Sequence, residues 1–462
     1  MYIKKIEFTN FRGFQELSLE LPKDLAVFIG VNGSGKTSIL DGVYKFIFAF
    51  IYGVICDFKN TIDYRQFPGT GINSNDINDS QKESIISVLI NSILYKNNNL
   101  DNLWKLTSYR GLSKAENTSL IKYNKELSER IRKESNYPIP ILVYYQTSAL
   151  RIYKIGDYKK MFQIFAEKSL HLHSDQFAAY NNTLIKELND YQNFLQWFSE
   201  QENYENEVRL RENFEYRSKK LEIIRNALEI FLTYLSKTNF SDLRIVRTKS
   251  DKSSFNSISI KPELTISKNG IDLTISQLSE GEKKCILIVA DIARRLAIAN
   301  PGLEVNEVLK QGNGMILIDE IEAHLHPQWQ REIIPALTKT FPSCQFIVTT
   351  HSPQVLSKVK RENVFILEDG NVISAKDEDY YTYGRDSNSI LSEIMEVPER
   401  PLEIKQQIRD CLDLIDEGFK LKDDIKLREA KAKINELSDL LGEDDLDIVS
   451  LNTTFKLRSR VK

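Results

Sequence analysis

Eight residues near the start, Gly30-Val31-Asn32-Gly33-Ser34-Gly35-Lys36-Thr37, fit the pattern GxxxxGK[ST]. Residues of this kind at this spacing hold phosphate. Glycines let the backbone wrap the anion, and N–H groups at a helix start bind its oxygens. Asn32, Gly33, Ser34, Gly35, Lys36, Thr37 and Ser38 are the candidate contacts. Lys36 is expected to reach the β- and γ-phosphates, and Thr37 to ligate Mg²⁺. The cofactors expected are therefore ATP and Mg²⁺.

Three later segments carry groups such a phosphate site would need. The apolar run Met315–Ile318 ends in Asp319-Glu320. Asp319 stands where a second Mg²⁺ contact is required, and Glu320 where a base orients the attacking water. Leu278-Ser279-Glu280-Gly281-Glu282 precedes a helix. A hydroxyl and a glycine there form a second anion cradle, for which Ser279, Gly281 and Glu282 are the candidates. Ser279 and Glu282 also spell a capping box, and both readings can hold together. Finally, His351 follows an apolar strand and Thr349-Thr350. At the mouth of a parallel sheet it can touch a γ-phosphate. Lys36, Glu320 and His351 are the candidate catalytic residues.

These groups need a frame. Residues 1–30 alternate as strands, and 25–30 form a continuous apolar run of the kind buried in a parallel sheet. From 276 onward, helices and strands alternate: a helix at 280–299, a strand at 315–319, a helix at 327–339, then strands at 345–350, 364–367 and 371–374. That order predicts an α/β fold with parallel strands. Asn269-Gly270 predicts a hairpin turn. The expected segments are 1–56, an N-terminal lobe with the phosphate loop; 57–137, a polar helical insertion with helices near 81–96 and 112–134; 138–156, a return to the core; 157–237, a helical hairpin of two helices of roughly 60 Å each; 238–400, a C-terminal lobe; and 401–462, a helical charged tail. Residues 68–80 have the composition of a disordered stretch.

Bulk properties narrow the class. The chain has 462 residues, 41% hydrophobic and 27% charged, which suits a globular protein of two or three domains. A net charge of −3 does not mark a general nucleic-acid binder, although a local basic groove stays open. Four scattered cysteines without a CxxC pair argue against a disulfide frame or a zinc ribbon. The start of the chain has no apolar signal core, and the stretch Val43–Ile55 is too short for a span and contains Lys45. A cytoplasmic protein with no membrane partner is expected.

The four chemical segments occur in the order shown by the ABC ATPase superfamily, and the chain resembles that superfamily. Gly30–Thr37 looks like its Walker A motif, Leu278–Glu282 like its signature, Asp319-Glu320 like Walker B, and His351 like its switch histidine. The opening Ile3–Phe14 resembles RecF- and SMC-like members. Glu322-Ala323-His324-Leu325-His326-Pro327 resembles the D-loop of OLD-like and other prokaryotic defence ATPases. Tyr383–Leu391 and Phe194–Phe198, with Glu202 and Glu205 beyond, are similar to the PtuA ATPases of Septu-type and retron-associated antiphage systems. The resemblance implies an ABC-ATPase head of mixed antiparallel and parallel sheets with flanking helices, a helical insertion and a helical C-terminal tail. It implies Arg12 as a nucleotide contact. It also implies a Q-loop, for which Gln146 is the candidate metal contact and Arg151 the alternative.

In ABC folds the signature covers the γ-phosphate of the other subunit's ATP. One P-loop and one signature per chain therefore predict a homodimer, or higher homo-oligomer, with composite ATP sites. The resemblance further implies an HNH nuclease partner (PtuB-like), with the ATPase as sensor and scaffold. Nucleic acid, including a retron reverse transcriptase and its RNA–DNA product, is a further candidate partner. Slow turnover would suit a sensor.

Other readings remain. A RecF/SMC-like repair or chromosome-maintenance ATPase would touch DNA directly, with Arg244, Arg247, the helical insertion and the basic residues Lys456, Arg458, Arg460 and Lys462 as candidates. An OLD-type nuclease needs a further α/β domain, and too few residues follow Asn371 for one, so no nuclease is expected in this chain. His324 and His326 with Glu320 and Glu322 have zinc-ligand chemistry, but a D-loop explains the same residues. His171 and His173 read as exposed side chains.

Overall fold

Strand β3 (Leu25–Gly30) is apolar and buried along its length, so both its faces must be covered. The structure, a computed structural model, describes residues 1–58, 76–77, 81, 83–91, 103–109, 118–134, 136–146, 175–181, 183–185, 192–235, 239–250, 259–368 and 370–459. Arg151, His171, His173, Arg460 and Lys462 lie outside these residues.

Strand β3 sits inside a seven-stranded sheet of order β14-β13-β3-β12-β11-β6-β7. Its members are β6 (Ile141–Tyr145), β7 (Leu184–Ile185), β11 (Gly314–Ile318), β12 (Cys344–Thr349), β13 (Val364–Glu368) and β14 (Asn371–Ser374). The register aligns Gly30 with Leu367, and Ile318 with both Tyr145 and Val348. The pairings among β13, β3, β12, β11, β6 and β7 are all parallel. Strand β14 departs from the expected parallel order. It turns back on β13 as an antiparallel hairpin at Gly370, which has positive φ.

A second sheet, β2-β1-β4-β5, is antiparallel throughout. It contains β1 (Tyr2–Phe11), β2 (Phe14–Glu20), β4 (Glu83–Asn91) and β5 (Leu103–Tyr109). Here the expectation of a helix near 81–96, and of a wholly helical insertion at 57–137, fails. Residues 83–91 form an interior strand. Ile86, Val88 and Ile90 are all buried, at the period of two that a half-buried strand requires. The helix expected at 112–134 is present as α2 (Thr118–Lys133), and residues 112–117 lie outside the described residues.

Helix α1 (Lys36–Phe58) leads away from β3. Its stretch Lys36–Ile55 is long and apolar enough to cross a membrane by composition, but 83% of that stretch is buried inside the protein. It is a core helix, longer than the apolar run Val43–Ile55 alone suggests.

Of the helical hairpin expected over 157–237, the helices α3 (Gln192–Arg211) and α4 (Lys219–Leu235) are present, whereas Asp175–Tyr180 is a 3-10 turn and Leu184–Ile185 is the sheet strand β7; residues 157–174 lie outside the described residues. The two helices are roughly 30 and 25 Å long, half of what was expected. Buried Glu202 accepts the Ile245 N–H, and Glu205 accepts the Ser218 N–H at 2.8 Å. The hairpin thereby meets β8 (Phe240–Ser250), which pairs with β9 (Ser259–Lys268). β9 turns at Asn269-Gly270, both at positive φ, into β10 (Ile271–Thr274).

Helix α5 (Glu280–Ala299) is buried nearly all round. Asp291 in its middle pairs with Arg294 and Arg295 and accepts from the Tyr145 hydroxyl at 2.9 Å. Helices α6 (Val305–Gln311), α7 (Pro327–Thr340) and α8 (Pro353–Leu356) complete the first compact unit, Met1–Ser387.

The second unit is Asn388–Lys462. After α9 (Ser387–Glu393), it packs α10 (Leu402–Leu421), α11 (Asp424–Leu441) and α12 (Leu446–Ser459) around Cys411, Ile415, Ala430, Ile434, Leu437 and Leu451. Asp423 caps α11 through the Ile425 and Lys426 N–H groups.

Candidate functional site

The phosphate loop joins β3 to α1, where a parallel strand delivers its backbone N–H groups to a helix start. Gly35 has φ +107°, and a Cβ there would stand 2.8 Å from the Phe14 ring. No other residue fits the position. Lys36 is buried, and its Nζ donates to the Gly30 and Val31 carbonyls at 2.9 and 2.8 Å. Burial lowers the Lys36 pKa, opposed by Asp319, Glu320 and Glu322. The Ser34 hydroxyl is buried without a hydrogen-bond partner among the described residues. Asn32 and Gly33 are exposed at the loop tip.

The acidic turn arrives at the end of β11. Thr37 Oγ1 donates to Asp319 Oδ2 at 3.2 Å. The fully buried Thr349 donates to Asp319 Oδ1 at 2.6 Å, and the same hydroxyl accepts the Glu320 N–H at 2.8 Å. Burial raises the Asp319 pKa, while the Thr349 and Thr37 hydroxyls oppose the rise. Glu320 has φ +48°, a left-handed backbone that costs about 1 kcal/mol or more for a non-glycine residue. That turn swings the chain out of the strand within one residue of Asp319.

His351 follows β12. Its backbone N–H donates to Glu322 Oε1 at 2.5 Å, and Glu322 Oε2 is buried with no partner among the described residues. Burial, then Lys36, lowers the His351 pKa, so the ring is neutral at pH 7.

A second cluster centres on Asp41, one helical turn beyond Thr37. Arg12 donates to Asp41 Oδ2 at 2.6 Å, to Asp76 Oδ1 at 2.8 Å and to Ser38 Oγ at 3.4 Å. Gln146 Nε2 donates to Asp41 Oδ1 at 3.2 Å, and the Tyr144 hydroxyl reaches the same oxygen at 3.3 Å. Arg12, just after β1, and Gln146, just after β6, thus meet on one carboxylate of the P-loop helix. The motifs do not contain Asp41. Its spacing of four from Thr37, on the same face of α1, was the signal available.

The signature stands apart. Ser279 accepts the Glu282 N–H, and Glu282 Oε2 accepts the Ser279 N–H at 3.0 Å, which makes the reciprocal cap of α5. Lys268 donates to Glu282 Oε1 at 2.7 Å. Ser279 is exposed, and these bonds fix it and Glu282 at the head of α5. Gly281 packs on the D-loop, where a Cβ would meet the His324 carbonyl at 2.5 Å.

The residues fit ATP and Mg²⁺. The glycine loop, the buried, uncommitted Ser34 hydroxyl and Lys36 offer a phosphate cradle. Thr37 and Asp319 offer a hard-oxygen pair, the number of protein ligands Mg²⁺ takes alongside phosphates.

Comparison with known proteins agrees with this geometry. A family model described as an AAA ATPase domain matches residues 1–356. The chain is 27% identical to the retron Ec83 probable ATPase of Escherichia coli, over 99% of this chain and 87% of that one. It is 29% identical to the retron Vc95 probable ATPase of Vibrio cholerae, over 88% and 81%. A shorter match, 34% identical over 20% of this chain and 24% of the other, is to the Septu protein PtuA of Bacillus thuringiensis.

Proposed function

The chain belongs to the AAA ATPase domain family, and from that footing we propose that it hydrolyses ATP between two copies of itself and regulates a partner HNH nuclease in antiphage defence. The observation that carries the ATPase reading is the bond from Thr37 to Asp319. It brings the acidic turn to the phosphate loop across 282 residues of chain. Mg²⁺, when bound, neutralises phosphate charge. The protein's own groups do the rest. The P-loop amides and Lys36 orient the phosphates. Thr37 and Asp319 would hold the metal. Glu320 takes a proton from water, and neutral His351 donates to the γ-phosphate. Asn32, Gly33, Ser34, Gly35 and Ser38 line the cradle, and Arg12 and Gln146 stand beside it on Asp41.

Composite sites are supported by the exposed Ser279. Its cap leaves it on the surface, ready for another subunit's nucleotide. The defence role is supported by the two retron ATPases, which this chain matches over most of its length. On this reading the protein is cytoplasmic. Its partners are a PtuB-like HNH nuclease and a retron reverse transcriptase with its RNA–DNA product. The chain itself does not cut nucleic acid.

The test is the mass of wild type and Glu320→Gln with Mg²⁺ and ATP, alone and with the neighbouring gene's product. An ATP-dependent dimer, stabilised in Glu320→Gln, and a larger complex with the neighbour are expected. A monomer indifferent to ATP would overturn the composite site. A dimer that ignores its neighbour but binds DNA would favour a repair ATPase instead.

A further inference from the structure

The start of α5 and the acidic turn touch at two points. The first is Gly281 against the His324 carbonyl. The second lies three residues on. Lys284 reaches across the interface, and its Nζ donates to the Glu320 carbonyl at 3.0 Å. Its stem runs beside an apolar crevice lined by Phe231, Ile288, Ile318, Ile321 and Ile333. A cation in such a place is costly to bury unless it is bonded. Asp319, Glu320 and Glu322 supply the surrounding negative charge.

Lys284 belongs to none of the motifs, and its bond falls on the one residue of the acidic pair whose backbone is left-handed. That carbonyl also accepts the Ala323 N–H at 3.0 Å inside the turn, and Lys284 adds a cationic donor from a different element, without which the turn that aims the Glu320 carboxylate would lose a restraint. We propose that Lys284 is a positioning residue for hydrolysis, whose ammonium holds the Glu320 backbone and so fixes where its carboxylate points. It sits on the helix that Ser279 caps. In a dimer it therefore ties the segment covering one nucleotide to the base acting on the other. This rests on Glu320 being the base.

Lys284→Met keeps most of the stem and removes the donor, and Lys284→Arg restores a cationic donor. Phosphate release, binding of a fluorescent ATP analogue and thermal melting are measured for both, beside Glu320→Gln. The expected result for Lys284→Met is a kcat at least tenfold below wild type, with KM and analogue affinity within threefold. Lys284→Arg should recover at least fivefold of that loss. If Lys284→Met does not fold, Lys284→Leu, which also lacks a donor, replaces it under the same criterion. A folded variant whose kcat stays within twofold of wild type overturns the proposal, as does equal impairment of the Met and Arg variants. Hydrolysis that survives in Glu320→Gln would instead overturn the reading of the site itself. Loss of activity in Glu320→Gln with none in Lys284→Met overturns only the role of Lys284.

Discussion

Thr349→Val is the most informative single change in the acidic site. Valine matches threonine in shape, so the core around this fully buried position stays filled. Two bonds disappear. Asp319 loses the 2.6 Å donor that fixes one carboxylate oxygen, and the Glu320 N–H loses its 2.8 Å acceptor. A stranded buried N–H costs about 1–3 kcal/mol, and a hydrogen bond to a charged group is worth about 1.5–3 kcal/mol. The two share one hydroxyl and do not simply add, so a loss of about 2–4 kcal/mol in stability is expected. In a unit of this size that lowers Tm by about 2–5 °C. Hydrolysis should suffer as well, because the same hydroxyl aligns the Mg²⁺ carboxylate and the base. A fall of at least tenfold in kcat corresponds to about 1.4 kcal/mol. Thr349→Ser is the control. It keeps both bonds and gives up one methyl group, at about 1 kcal/mol. Melting and phosphate release on the three proteins separate packing from hydrogen bonding. If valine and serine variants hydrolyse ATP equally well, the hydroxyl does not organise the site and this account is wrong.

Gly35→Ala places a Cβ 2.8 Å from the Phe14 ring at φ +107°, and binding of a fluorescent ATP analogue should weaken at least tenfold. Undiminished affinity would show that the loop relaxes freely. Asp41→Asn removes the carboxylate shared by Arg12 and Gln146. It should cost about 1–3 kcal/mol in thermal unfolding and weaken MgATP binding several-fold, whereas a silent variant would show that the cluster does not support the site. Stability should also fall with acid through Glu205. Burial raises its pKa, but the bonds from Arg225 and the Ser218 N–H outweigh burial and leave it below 4.5. The folded carboxyl therefore binds its proton less readily than the unfolded one. Its contribution is complete above pH 4.5 and is lost as pH falls through the folded value. Urea midpoints between pH 6 and pH 3 should decline more steeply for wild type than for Glu205→Gln.

Where the sequence was legible, the chemistry itself constrained it. The glycines of the phosphate loop, the paired acids after an apolar strand, the Asn269-Gly270 hairpin and the Ser279–Glu282 cap each announce their geometry within a few residues. The misread element was Glu83–Asn91. Its neighbours are polar and rich in asparagine, and the alternation of Ile86, Val88 and Ile90 is short. Its strand character is settled by β1, some 80 residues earlier in the chain. Asp41 was missed for a related reason. Nothing beside it in the chain marks it out, because its partners come from two distant places in the sequence, Arg12 on one side and Tyr144 and Gln146 on the other. Lys284 looks like any charged residue of a helix until the Glu320 carbonyl is found opposite it.

The strand order carries a consequence for how the protein is made. β3 enters the sheet between β12 and β13, which lie more than 300 residues further along the chain. A nascent chain presents its phosphate loop early, on a strand with both edges open, and must wait for its neighbours. At about 5–20 residues per second, that wait is roughly half a minute. During that time the loop has neither Asp319 nor Thr349 beside it. An unfinished molecule is therefore silent. It cannot spend ATP or clasp a second subunit, and its open strand edges are a natural claim on chaperones. A truncated chain ending before β12 should be retained by chaperones and should not bind nucleotide.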